Sequence, residues 1–187
     1  FYMNVDMMSA LHGRGPAVGT GFKRARPGQP LVVIQGDGDA TAIGMAETVH
    51  AANRGENFMV IMINNSIYGM TGGQMGPTTL LGQKTTTSPF GRSIENSGYP
   101  MRTAEIIATL EAPRLVARTA VHTPKMVMHT RKLIKKGLEM QVNGGGYSFI
   151  EVVSACPTSW KVKTKDIVKY IDEKVLPVFP TEVFKDV

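Results

Sequence analysis

The sequence predicts a doubly wound, mostly parallel α/β sheet, and three observations carry that prediction. Leu31-Val32-Val33-Ile34-Gln35 and Phe58-Met59-Val60-Ile61-Met62-Ile63 are short apolar runs of the kind a parallel sheet buries on both faces. Between them, Ala40 to Asn53 is rich in Ala and Met, free of Pro, and long enough for a crossover helix. The first run ends in Gly36-Asp37-Gly38 and the second in Asn64-Asn65, which places Asp37 and Asn65 65 − 37 = 28 residues apart. A strand–helix–strand unit ends both strands on one edge of the sheet, so a carboxylate and an amide oxygen reach the same crevice.

The other elements follow in order. Gly15 to Ala25 reads as a helix that stops before Pro27-Gly28. Asn64 to Met101 reads as a long loop rich in Gly, Thr, Ser and Pro, and loops beyond ~15 residues are uncommon unless they serve a function. Thr103 to Leu110 is expected to be a short helix with Thr103 as N-cap and Glu105 in the first turn. Leu115 to Val121 is a strand. Thr123-Pro124 opens a helix that runs to about Gln141, with Pro124 at its first position, and Asn143-Gly144-Gly145-Gly146 ends it. Tyr147 to Val153 is a further strand, Lys165 to Lys174 a C-terminal helix, and the tail after Pro177 is expected to be irregular. Residues 1–187 make a single domain, with no internal repeat or low-complexity segment.

Composition narrows the function classes. At 42% hydrophobic, the chain has enough apolar residues for a large core, and no apolar run approaches the ~20 residues of a membrane span. Phe1-Tyr2-Met3-Asn4 shows neither a basic nor an apolar targeting region. One cysteine excludes an internal disulfide, and these points favour the cytoplasm. The net charge of +6 concentrates in Lys23-Arg24-Ala25-Arg26, in Arg131, Lys132, Lys135 and Lys136, and in Lys161, Lys163 and Lys165. These read as solvated faces, with docking of an acidic electron carrier as the functional alternative. The clusters lack interleaved aromatics, so no nucleic-acid partner is expected, and no membrane.

Asp37 and Asn65 supply hard oxygens, as expected for Mg²⁺ that also holds a diphosphate, with phosphate completing the shell. Gly36 and Gly38 would let the backbone approach the phosphate, at the N-terminus of the following helix. The long loop begins at the metal-ligand position and is expected to wrap the cofactor. Other motifs fit worse. A dinucleotide fingerprint would need a third Gly where Thr41 stands, and an EF-hand begun at Asp37 would need Gly and Glu where Ala42 and Thr48 stand.

The Gly36-Asp37-Gly38 and Asn64-Asn65 pair resembles the thiamine-diphosphate motif. The run Asn64-Asn65-Ser66-Ile67-Tyr68-Gly69-Met70-Thr71-Gly72-Gly73-Gln74 narrows the match. With Leu11-His12-Gly13-Arg14, Thr85 to Arg92 and Ser154-Ala155-Cys156-Pro157-Thr158, it resembles the beta subunit of the 2-oxoacid:ferredoxin oxidoreductases. The resemblance implies oxidative decarboxylation of a 2-oxoacid to acyl-CoA and CO₂, with electrons passing to ferredoxin. It implies Mg²⁺ on Asp37, Asn65 and the Ile67 carbonyl. Cofactor contacts would come from Gly36, Gly38, Asp39, Tyr68, Gly69 and Thr71. The side chain of Asp39 is expected to turn away from the diphosphate, capping the next helix. His12 would stand near the reacting centre, and Arg14 there or in a structural ion pair. Met70, where the pyruvate-specific members tend to have Asn, favours a larger acyl group. The branch is most like those acting on 2-oxoisovalerate, with 2-oxoglutarate as the alternative.

Cys156 matches one of four thiolate ligands to a [4Fe–4S] cluster in the family, and one cysteine cannot hold a cubane. The chain is therefore expected to lack the N-terminal part of the family subunit. The Glu that activates thiamine diphosphate belongs to a separate pyrimidine-binding (alpha) subunit; Glu47, mid-helix, does not qualify. Partners implied are that subunit, gamma and delta ferredoxin-type subunits, ferredoxin, coenzyme A and the 2-oxoacid. Two other readings stand beside this one: a non-redox thiamine-diphosphate decarboxylase or carboligase fragment, and a catalytically silent scaffold.

Overall fold

In a computed structural model, which describes residues 4–187, the elements follow in this order. Helix α1 (Gly15–Ala25) leads into β1 (Val32–Gly36), a π-helical turn (Asp39–Ile43), α2 (Met45–Asn53) and β2 (Met59–Asn64). Then come α3 (Ile94–Ser97), α4 (Thr103–Ala108), β3 (Leu115–Ala120), α5 (Pro124–Val142) and β4 (Ser148–Val153). The chain closes with α6 (Pro157–Trp160), α7 (Ile167–Tyr170) between a 3₁₀ turn (Thr164–Asp166) and a π-helical turn (Ile171–Val175), and β5 (Glu182–Asp186). The N-terminal Phe1-Tyr2-Met3, part of the stretch that reads as lacking a targeting signal, lies outside the described residues.

The sheet order is β1-β2-β4-β3-β5, with every pairing parallel except β3 with β5. The doubly wound expectation is met. Alternate residues of the central strands feed two cores. Val60, Met62, Val116 and Phe149 pack under Ala51 and Ala52 of α2 and Ala104 and Ile107 of α4. Met59, Ile61, Ala117 and Ile150 pack under Leu133 of α5. A third cluster, Ile67, Trp160, Ile171, Val175 and Phe179, lies beneath the segment that follows β2. Thr123 caps α5 as its sequence position suggests, its hydroxyl accepting the Met126 N–H at 3.3 Å.

Four expectations need correction. The tail after Pro177 is not irregular: β5 pairs antiparallel with β3 and closes that edge of the sheet. Its short, charged sequence Glu-Val-Phe-Lys-Asp suits an edge strand, and Phe184 is the residue it turns inward against the core. The crossover helix is interrupted, passing through a π-helical turn to Gly44 before α2 begins. The cause is a close backbone approach: a Cβ on Gly44 would lie 2.5 Å from the Gly13 Cα. Thr103 is the first residue of α4, not its cap; Arg102 holds the cap position. The expected helix over Lys165 to Lys174 is three short helical pieces.

Candidate functional site

Strands β1 and β2 lie side by side with Gly36 opposite Ile63, so Asp37 and Asn65 leave the sheet together at the carboxyl ends of neighbouring parallel strands. This is where open α/β sheets bind ligands. Asp37 is already helical and only 4% exposed, with Oδ1 accepting the Gly38 N–H at 3.0 Å and Oδ2 accepting the Thr78 hydroxyl. Burial pushes its carboxyl up to about 6, against the hydrogen bonds from Thr78, Gly38 and Ser66 that pull it down. Asp37 makes no ion pair among the described residues. A desolvated carboxylate with neutral donors but no counter-charge is the donor set a divalent cation satisfies.

The second half of the site is a tight turn. Ser66 stands at φ 57°, a conformation uncommon outside glycine. Asn64 Oδ1 accepts the Ser66 N–H at 3.0 Å, and Asn65 Oδ1 accepts the Ile67 N–H at 3.3 Å. The Asn65 amide oxygen keeps a second lone pair for a cation. A two-way bond pair then joins Tyr68 to the far side of the next loop: Tyr68 N–H donates to Gln74 O at 3.0 Å and Gly73 N–H to Tyr68 O at 2.8 Å. Gly69, Met70, Thr71 and Gly72 form its tip. Met70 is fully exposed, and the Thr71 hydroxyl donates to Gln74 Oε1 at 2.7 Å.

Gly38 is explained by the structure on a different ground from the sequence reading. A Cβ there would fall 2.0 Å from Cε1 of Tyr68, so glycine is needed for the Tyr68 ring to lie over the backbone that carries Asp37. The ring is held between the two halves of the site, and burial, then the Asp37 and Asp39 carboxylates, push its phenol up. Gly36 has open space beside it. Cys156 stands at the same turn, its Sγ 3.0 Å from where a Cβ on Gly69 would be.

Asp39 does not cap the next helix. Its Oδ1 lies 2.6 Å from His12 Nδ1 and accepts the Gly13 N–H at 3.2 Å. That contact ties His12, whose side chain is 85% exposed, to the residue two positions after Asp37. Arg14 is the structural ion-pair residue: it pairs with Glu47 and donates to Ile43 O at 3.1 Å.

Sequence reasoning missed how the long segment after Asn65 is held. Arg92, 7% exposed, donates to six backbone carbonyls, those of Gly76, Pro77, Thr79, Ser97, Gly98 and Tyr99. That fixes Thr78 on Asp37, while the Thr79 hydroxyl and the Gln83 amide both donate to Ser66 O, at 2.7 and 3.3 Å. From the other side, Trp160 Nε1–H donates to Asn65 O at 2.8 Å. The segment clamps both halves of the site; its Thr-Thr pair and single buried Arg were the only signals in the sequence.

Comparison with known proteins agrees with this geometry. Residues 2–152 match the family model described as "Thiamine pyrophosphate enzyme, C-terminal TPP binding domain". The chain is 42% identical over 186 residues to the ketoisovalerate oxidoreductase subunit VorA of Methanothermobacter thermautotrophicus, covering all of this chain and 39% of that protein. It is 41% identical to the 2-oxoglutarate synthase subunit KorB of Methanocaldococcus jannaschii, covering 92% of this chain and 61% of that one. A solved 2-oxoglutarate:ferredoxin oxidoreductase of Magnetococcus marinus superposes with a TM-score of 0.73 at 32% identity, over 87% of this chain and 50% of that one. The chain thus spans between about two fifths and three fifths of the relatives it matches. Its sheet, its Asp37 and Asn65 edge and this match agree: the chain belongs to the thiamine pyrophosphate enzymes and carries their C-terminal cofactor-binding domain.

Proposed function

We propose that this chain grips the diphosphate of thiamine diphosphate through Mg²⁺ within a 2-oxoacid:ferredoxin oxidoreductase. The reaction would convert a 2-oxoacid and coenzyme A to acyl-CoA and CO₂, with electrons passing to ferredoxin. The carrying observation is Asp37, a buried carboxylate without an ionic partner among the described residues, at the sheet edge it shares with Asn65. Asp37, the Asn65 amide oxygen and the Ile67 carbonyl would hold the cation, with Gly36, Gly38, Tyr68, Gly69 and Thr71 around the cofactor. When bound, thiamine diphosphate supplies the carbanion chemistry of decarboxylation. The chain's own residues bind and orient: Thr78 holds one Asp37 oxygen, Tyr68 closes over Gly38, and His12 would donate to the substrate carboxylate or to an oxygen that develops during the reaction.

A branched 2-oxoacid such as 2-oxoisovalerate is the favoured substrate, supported by the ketoisovalerate relative and by apolar Met70. 2-Oxoglutarate is the second reading, supported by the KorB relatives. Met70 and Phe90 are almost fully exposed apolar side chains, as expected of surfaces covered by a pyrimidine-binding partner that brings the activating Glu. Gamma and delta ferredoxin-type subunits would complete the assembly. Cys156 would join a [4Fe–4S] cluster only with three thiolates from outside these residues, in a longer subunit of which residues 1–187 are one domain. No helix among the described residues is long and apolar enough to cross a membrane, and a cytoplasmic enzyme is proposed.

The test is viologen reduction by the co-purified complex with coenzyme A, thiamine diphosphate and Mg²⁺, comparing 2-oxoisovalerate, 2-oxoglutarate and pyruvate. Reduction with 2-oxoisovalerate, lost on Asp37→Ala, supports the proposal. Bound cofactor without reduction by any 2-oxoacid overturns the oxidoreductase reading in favour of non-redox chemistry.

A further inference from the structure

Behind the turn that carries Asn65, a line of buried polar groups crosses the sheet. Asn64, 1% exposed, donates from Nδ2 to Glu151 Oε1 at 2.7 Å while its Oδ1 accepts the Ser66 N–H. Glu151 on β4 has no exposed surface; its Oε2 accepts the Ala104 N–H at 3.3 Å and lies 3.0 Å from Arg118 Nε. Arg118 on β3 is equally buried, pairs with Glu105, donates to Pro180 O at 3.3 Å, and lies over the rings of Phe179 and Phe184 at 5.4 and 5.2 Å.

The order of donors along this line matters. An Asn amide can present either its oxygen or its NH₂ in a given direction. A carboxylate only accepts, so Glu151 obliges Asn64 to turn its NH₂ toward β4 and its oxygen toward Ser66. That oxygen holds the N–H of Ser66, the residue in the left-handed region that joins Asn65 to Ile67. A buried ion pair is weak evidence of net stability, because desolvation offsets much of the attraction. Its better-supported use is to fix one arrangement among several.

We infer that Glu151 is a positioning residue for the cation turn: held by Arg118, it orients Asn64, and Asn64 fixes Ser66 so that Asn65 and Ile67 face the metal. The inference rests on the cation site proposed above. Partners one step behind metal ligands typically contribute 10–100-fold to metal affinity, and an effect of that class is expected here.

The test uses the assembled complex stripped of metal, titrated with Mn²⁺ at fixed thiamine diphosphate, with the free Mn²⁺ signal read by electron paramagnetic resonance. Glu151→Gln, which no longer dictates the Asn64 orientation, is expected to weaken Mn²⁺ binding about 10-fold. Asn64→Ser, whose hydroxyl still receives the Ser66 N–H but does not reach Glu151, should fall between it and the unmodified complex. Leu133→Ala, a core truncation on the opposite face of the sheet, is expected to lower heat stability and leave Mn²⁺ affinity unchanged. If both variants at the buried line bind Mn²⁺ like the unmodified complex, the inference is overturned while the site stands. If the unmodified complex itself binds no Mn²⁺, the site fails and the inference with it.

Discussion

The indole N–H of Trp160 donates to the backbone carbonyl of Asn65 at 2.8 Å, across 95 residues of sequence. Trp160 is the only tryptophan, is 8% exposed, and stacks at a tilt on Tyr170 with centroids 5.1 Å apart. Trp160→Phe keeps an aromatic six-membered ring and deletes the donor along with the rest of the indole. It should cost about 1 kcal/mol, a fall in Tm of roughly 2–4 °C. The fall should be larger with Mg²⁺ and thiamine diphosphate than without, because the lost bond restrains the turn proposed to bind the cation. Thermal unfolding in both conditions checks this; equal falls would assign Trp160 to packing alone.

Asp37 makes the opposite trade. Its charge is unfavourable until a cation arrives, with the carboxyl held up to about 6 by burial. Asp37→Asn keeps the shape and can still bond Thr78. At pH 7, above both the ordinary and the raised value, the full penalty of the shift applies, so the change should raise the stability of the metal-free protein by about 3 kcal/mol, on the scale of 1.36 kcal/mol for each pKa unit, and abolish stabilisation by Mg²⁺ with thiamine diphosphate. Denaturant unfolding with and without ligands reads both effects. A less stable metal-free variant would mean that the carboxylate contributes to the fold on its own.

Arg92 organises six carbonyls that no other residue type can serve at once. Arg92→Lys offers a single nitrogen with three donors, so several carbonyls would lose their partner. A loss of about 3 kcal/mol, or roughly 6–12 °C in Tm, is expected. Proteolysis should then cut first within residues 76–99, and mass spectrometry of the fragments would show it. Equal resistance in variant and parent would place the order of this segment elsewhere.

Two glycines should respond in opposite directions. Gly21 lies exposed on α1 with nothing near a Cβ, so Gly21→Ala should stabilise by about 0.5–1 kcal/mol through helix propensity. Gly44→Ala would drive a methyl to 2.5 Å from Gly13 Cα and 2.6 Å from Asp39 O, all backbone, and should destabilise by more than about 2 kcal/mol. Because Gly13 and Asp39 also hold His12, the second change should disturb the His12–Asp39 contact. Chemical denaturation of the pair tests the contrast directly.

The strand–helix–strand unit and its paired motifs were legible because their signals are local: apolar runs of strand length, a Pro-free connection, glycines and oxygens at the strand ends. The cap at Thr123 was legible for the same reason. What escaped was set by contacts distant in sequence. Arg118 and Glu151 each look like an interruption of an apolar strand until the sheet places the two strands side by side. The break at Gly44 comes from Gly13, some thirty residues earlier, and β5 is a strand only because β3 offers it an edge. Arg92 stands in a run of small polar residues whose pattern carries no period at all.

Strand β5 and the Phe179 and Phe184 rings cover Arg118, and Trp160 backs Asn65, so residues late in the sequence brace the site from behind. On a ribosome, which releases residues in order, Asp37 and Asn65 emerge long before the groups that brace them. The first half of the chain therefore leaves the exit tunnel with its cofactor edge unsupported. The bracing by Trp160 and β5 is added after that edge has emerged, so its full support is a later event in synthesis than its appearance.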